Sequence, residues 1–127
     1  SFTMNQRQEF TRVDRVRKAI QREMGDILRT EMKDPRLDDL VISVTEVDLT
    51  PDLSVAKIYL SIFLDDEDER NEIMTILISH QSKARKALGH RVRLRHTPEV
   101  HFKFDDSLER GVRMSQLLDK IARGEIE

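Results

Sequence analysis

The run Ala56, Ile58, Leu60, Ile62, Leu64 places an aliphatic residue at every second position, alternating with Val55, Lys57, Tyr59, Ser61 and Phe63. Successive side chains of a strand point to opposite faces, so such a strand has one wholly apolar face that must be covered. The chain therefore needs a sheet with a second layer packed on it. A cover lies upstream. Phe10, Val13, Val16, Ile20, Met24, Ile27 and Leu28 recur at spacings of three and four, the helical period. They span about 120° of the helix circumference, while Arg15, Lys18, Arg22, Arg29 and Lys33 crowd the opposite side as a cationic stripe. Pro35 disfavours helical geometry at Asp34, so the spacing predicts a helix from Phe10 that stops near Lys33.

A second β-branched and aliphatic run, Val41–Leu49, is joined to Leu53–Leu64 by the turn-forming Thr50-Pro51-Asp52, which predicts an antiparallel hairpin. Asp65–Glu69 then precedes a helical pattern at Ile73, Met74 and Leu77, and acids at a helix start are favoured by its dipole. Ala84, Ala87 and Leu88 mark a third helix, with Gly89 expected as its C-terminal cap. Arg91-Val92-Arg93-Leu94-Arg95 alternates as a strand that Pro98 interrupts. The alternation resumes over Val100–Phe104, so a bulged or edge strand is expected. Asp105-Asp106-Ser107 offers N-caps for a last helix with Leu108, Val112, Leu118 and Ile121 on one side. The predicted architecture is α+β, a three-stranded sheet packed against helices in the order helix, strand, strand, helix, helix, strand, helix.

With 127 residues one domain is expected, and five Phe, one Tyr and no Trp make its core aliphatic. The formal net charge of −2 does not announce a polyanion partner, but it is unevenly spread. By segment it is +3 over 1–36, −9 over 37–79, +6 over 80–103 and −2 over 104–127. The basic window also holds all four histidines, His80, His90, His96 and His101. The absence of cysteine excludes disulfides, thiolate metal sites and a Cys nucleophile. Val55–Leu64, the most apolar stretch, is far shorter than a bilayer span, and no signal-peptide pattern opens the chain. A cytoplasmic protein is the simplest reading.

Catalytic signatures are missing. No Ser lies in a recognisable nucleophile setting, and the glycines at 25, 89, 111 and 124 form no phosphate-cradling loop. Asp65–Glu69 lacks the Gly-centred spacing of a calcium loop, and His90, His96 and His101 lack a paired helical spacing for zinc. No enzyme, metal or cofactor is expected. The remaining candidate is a basic surface made of Lys83, Arg85 and Lys86 on the third helix and Arg91, Arg93 and Arg95 on one strand face, with Lys103 beyond. Closely spaced cations can neutralise successive phosphates and release counterions. The same residues could equally solvate a sticky strand edge. Arg15, Lys18 and Arg22 would join them if the fold brings the first helix alongside. With so few aromatics, recognition of a nucleic acid would rest on backbone charge and shape.

Three motifs add to this. Lys33-Asp34-Pro35-Arg36-Leu37, then Arg93-Leu94-Arg95 with Pro98-Glu99-Val100 and Phe102, then Asp106-Ser107-Leu108 with Gly111, Arg113-Met114-Ser115 and Leu118 closely resemble the bacterial ribosome-binding factor A family. The similarity runs in order from about Arg12 to Leu118. The resemblance implies a type II KH-like domain, the order read above from periodicity, with a C-terminal helix added. It implies a noncatalytic assembly factor that binds the small (30S) ribosomal subunit and its 16S rRNA, assists late maturation including 5′-end processing, and matters most in the cold. Other ribosome assembly factors are possible further partners, and a monomer is expected. The rival reading is a protein-interaction module that uses the acidic 37–79 segment on the same fold. Two departures stand out. No Gly-x-x-Gly loop is present, and His80-Gln81-Ser82 occupies the place of the family's Ala-x-Gly helix kink. The kink is still expected, since Ser tolerates local backbone bonding at a helix break. The expected organisation is a flexible 1–9 with an expression remnant at 1–3, a KH-like domain over 10–123, and a frayed tail over 124–127.

Overall fold

The alternating apolar strand is the middle of the sheet. A computed structural model describes the backbone of residues 2–124 and the side chains of residues 12–124. Three strands, β1 (Ile42–Leu49), β2 (Val55–Ile62) and β3 (Glu99–Phe104), lie in the order β1-β2-β3. β1 pairs antiparallel with β2 as a hairpin, and β3 pairs parallel with β2. A parallel pair needs a crossover, which is supplied by α2 (Glu67–Ser79) and α3 (Gln81–Arg91). α1 (Phe2–Thr30) precedes the sheet, with a 3₁₀ turn at Pro35–Leu37, and α4 (Ser107–Ala122) follows it.

The inner sheet face carries Ala56, Ile58 and Leu60, all wholly buried, flanked by Val47 and Leu49 of β1 and Val100 and Phe102 of β3. Against it pack Ile20, Met24 and Ile27 of α1, Leu77 of α2, and Ala84 and Leu88 of α3. β1 joins this face by a device that simple alternation misses. Ile42 and Val44 are in phase with each other but out of phase with Val47 and Leu49. A bulge between Val44 and Glu46 absorbs the extra residue and turns all four inward. The other sheet face exposes Glu46, Asp48, Lys57 and Lys103.

Several expectations are corrected. α1 begins at Phe2 rather than Phe10 and ends at Thr30, short of Lys33, with Asp34 extended at φ −127 and ψ 121 as its proline neighbour requires. Gly89 is not a cap but an interior residue of α3, which continues to Arg91 and is capped at Val92. Its lack of a side chain serves a close approach, because a Cβ there would lie 2.8 Å from Thr97 Oγ1. Arg91, Arg93 and Arg95 therefore share no strand face. Arg91 ends the helix, and the following residues fold back across α3, where Arg85 Nη2 donates to the Thr97 carbonyl at 2.9 Å. β3 starts only after Pro98, where Glu99 N–H donates to the Ser54 carbonyl at 2.9 Å. The cap of α4 is Asp106, which makes no side-chain capping bond. Of the tail expected to fray over 124–127, residues 125–127 lie outside the described residues, as does Ser1 of the expected remnant at 1–3.

Candidate nucleic-acid interface

Ala84, Ala87 and Leu88 hold one side of α3 against the sheet, which leaves Lys83, Arg85 and Lys86 exposed on the other. Arg93 and Arg95, in the segment that folds back from the helix end, are exposed as well. Among the described residues, no ion pair or hydrogen bond engages the side chains of Lys83, Lys86, Arg93 or Arg95. Their charge faces solvent uncompensated, in a window with a single acid, Glu99.

Arg91 has a different role. Its Nε and Nη2 donate to Glu31 Oε2 at 3.0 and 2.7 Å, and its Nη1 donates to Asp26 Oδ2. Asp26 and then Glu31 hold the guanidinium pKa above its ordinary value, and Arg91 followed by Arg29 keeps the Asp26 carboxyl below its own. This clamp ties the end of α3 to the end of α1. Asp26 lies on the cationic side of α1, one turn after Arg22 and one turn before Arg29, so the clamp joins the C-terminal end of the stripe to the C-terminal end of α3. Arg15 and Arg22 are exposed, whereas Lys18 pairs with Asp14 at 3.2 Å.

Two expected members stand apart. Lys103 alternates with the buried Phe102, so it projects from the opposite sheet face, next to Tyr59 in register, and the sheet separates it from α3. The helix break falls at His80 (φ −100, ψ 9), with Gln81 and Ser82 already in the first turn of α3. Gln81 Oε1 accepts the Phe102 N–H at 2.8 Å, which satisfies a backbone donor on the free edge of β3. His80 Nε2 lies 3.1 Å from Asp34 Oδ2, a contact that puts the ring proton on Nε2. Asp34 also accepts from Arg36 N at 3.0 Å, Nε at 2.9 Å and Nη2 at 2.6 Å. Arg36 first and His80 second hold this buried carboxyl well below the usual carboxylate range. The loop after α1 and the break between α2 and α3, 46 residues apart in sequence, are thus locked together. The Asp-Pro-Arg turn was readable as a local cap, but no sequence signal marks its partner at His80 or the partners of Arg91.

The topology and this surface define a class: an α+β, KH-like domain with a cationic helical face. The sequence profile of the ribosome-binding factor A family matches residues 12–118, and the chain belongs to that family. Ribosome-binding factor A of Acetivibrio thermocellus is 43% identical over 109 residues, which cover 86% of this chain and 87% of that protein. The crystal structure of ribosome-binding factor A from Thermus thermophilus superposes with a TM-score of 0.58 at 26% identity, over 72% of this chain and 93% of that one. Coordinates of the Thermus thermophilus factor fitted into a cryo-EM map of its 30S complex give a TM-score of 0.59 at 25% identity, with the same coverage. Among the described residues, no helix is long and apolar enough to cross a membrane, and no group of three or more His, Asp or Glu could hold a metal ion.

Proposed function

We propose that this chain binds the small ribosomal subunit through its 16S rRNA, as a noncatalytic factor in late assembly that assists 5′-end maturation and matters most in the cold. Family membership and the 30S complex of the Thermus thermophilus relative support the partner. The observation that carries the RNA contact is the uncompensated cluster Lys83, Lys86, Arg93 and Arg95, with Arg85 beside it and Arg22 and Arg15 continuing it along α1. Arg91 leaves the contact set and becomes its scaffold, and Lys103 leaves it because the sheet intervenes. Lys18 is a lesser contributor, since Asp14 already neutralises part of its charge. Asp34, His80 and Gln81 hold the start of α3 in place and so fix where the cations point.

The mechanism is selection of one rRNA conformation. A protein that binds one arrangement of the subunit more tightly than a competing arrangement shifts the population by its differential affinity. In the cold, misfolded duplexes open slowly, so the benefit of such a bias is largest there. Co-sedimentation with immature and mature small subunits tests the reading. The Lys83→Glu/Lys86→Glu variant should bind immature subunits about tenfold or more weakly and with a flatter salt dependence, because each lost phosphate contact lowers the slope by about one. Unchanged sedimentation overturns the site. Equal binding of the wild-type chain to both subunit forms overturns the assembly role.

A further inference from the structure

The connection after β2, α2, the end of β3 and the first turns of α4 enclose an open cleft of about 580 Å³. Its apolar lining comes from Leu64, Phe104, Leu108 and Val112. Leu108 and Val112 are 72% and 49% exposed, so this lining is open to solvent. Arg70 closes one wall. Its Nη1 donates to the Leu64 and Asp65 carbonyls at 2.8 and 2.9 Å, and its guanidinium sits 5.4 Å from the Phe104 ring centroid, so the domain itself holds this side chain in place. The rim is acidic. Asp65 and Glu67 line the cleft with no ion pair among the described residues, and Asp66, Asp68 and Glu69 surround them in sequence. Glu109, also a lining residue, has a solvent-shielded Oε2 that accepts no hydrogen bond. Among the lining residues, the four acids Asp65, Glu67, Asp106 and Glu109 outnumber the two cations Arg70 and Arg113, so negative charge prevails.

We propose that this cleft docks a basic segment of a partner protein, an aliphatic side chain inserting between Leu64, Phe104, Leu108 and Val112 while flanking Lys or Arg residues meet the exposed Asp65 and Glu67. Charge complementarity selects this occupant. A phosphate backbone would be repelled by the rim, a second copy packed through the same face would bring the same acids against it, and a neutral apolar segment would desolvate Asp65 and Glu67 without pairing them. The chain is then two-sided, with a polyanion on the α3 face and a polycation-bearing protein on the α2–α4 face. This docking does not depend on the RNA contact.

The test uses fluorescence anisotropy with the full chain and a labelled synthetic peptide of about twelve residues that alternates Lys with Leu, next to Lys/Ser and Glu/Leu counterparts. The Lys/Leu peptide should bind saturably and lose about tenfold in affinity on Val112→Asp and on Glu67→Lys, while Lys83→Glu/Lys86→Glu leaves it unchanged. Val112 is exposed and Glu67 is unpaired, so both variants keep the fold, which circular dichroism checks. Equal binding of Lys/Leu and Lys/Ser peptides, indifference to Val112→Asp, competition by an RNA oligonucleotide for the cleft, or absence of saturable binding each overturns the proposal.

Discussion

α1 and α4 carry the same kind of sequence pattern and meet opposite fates. Both alternate apolar and charged residues at the helical period, yet Ile20, Met24 and Ile27 of α1 are wholly buried while Leu108, Val112, Leu118 and Ile121 of α4 are each about half exposed or more. The difference arises at the chain's exits from these helices and strands. After α1 the Asp34-Pro35-Arg36 turn brings β1 straight back under the helix. α4 instead leaves the sheet at its end, where Asp105 accepts from Thr45 Oγ1 at 2.6 Å and from the Ser107 N–H at 2.9 Å, which sets its direction away from the core. An amphipathic stripe says that burial would be favourable. What buries it is decided by where the connecting backbone goes.

The largest test of this contrast is a pair of truncations. Ile20→Ala should cost about 2–5 kcal/mol in urea denaturation, through lost transfer energy and a cavity, whereas Ile121→Ala should stay within about 0.5 kcal/mol. Comparable losses would mean that α4 is docked in solution and would dissolve the contrast. Next in size is the clamp that keeps α1 docked. Arg91→Glu sets a third carboxylate beside Asp26 and Glu31, so the melting temperature should fall clearly, though by less than for Ile20→Ala. Arg93→Glu, at an unpaired position a few residues on, should leave it nearly unchanged. A drop of equal size in both would remove the distinction drawn between scaffold and surface.

A third test uses pH on the lock between the loop after α1 and the helix break. Asp34 has a folded pKa depressed below its ordinary value of 3.8, mainly by Arg36 and then by His80. Its stabilising contribution is therefore complete above that ordinary value and declines as the pH falls through it toward the depressed one. Asp34→Asn should lower the melting temperature at neutral pH, with the gap to wild type closing on acidification. A gap that stays constant in acid would show that the charge plays no part. The smallest effect is at Gly89. Gly→Ala inside a helix normally gains about 0.5–1 kcal/mol, but the new Cβ would meet Thr97 Oγ1 at 2.8 Å. The gain should appear only in a Thr97→Ala background, read from a double-mutant cycle of denaturation midpoints.

The element order, the buried faces of α1 and β2, the edge position of the last strand and the acidic cap of α2 were all legible in residue spacing, because periodicity and capping are properties of neighbours in sequence. The candidate site was legible as a set of charges, since segment counts isolate the +6 window from the −9 one. Its division into working parts was not. Arg91, Arg93 and Arg95 look equivalent when written as alternating cations, yet Arg91 is spent on Asp26 and Glu31, some 60 residues upstream, while Arg93 and Arg95 have no partner among the described residues. Gly89 looked like a helix terminator because glycine favours that place, and only the return of Thr97 across α3 reveals the steric need it meets.

Sequence by itself determined which faces are apolar, the order of the helices and strands, and that the near-neutral chain is strongly polarised, since all of these follow from side chains read a few positions apart. Tertiary structure decided which cations are free, that Lys103 is cut off from the rest by the sheet, that Asp34 locks onto His80, and that α4 keeps its apolar residues in water beside an acidic cleft. Ion pairing, steric approach and burial depend on distances between residues remote in the chain, and those distances exist only once it has folded.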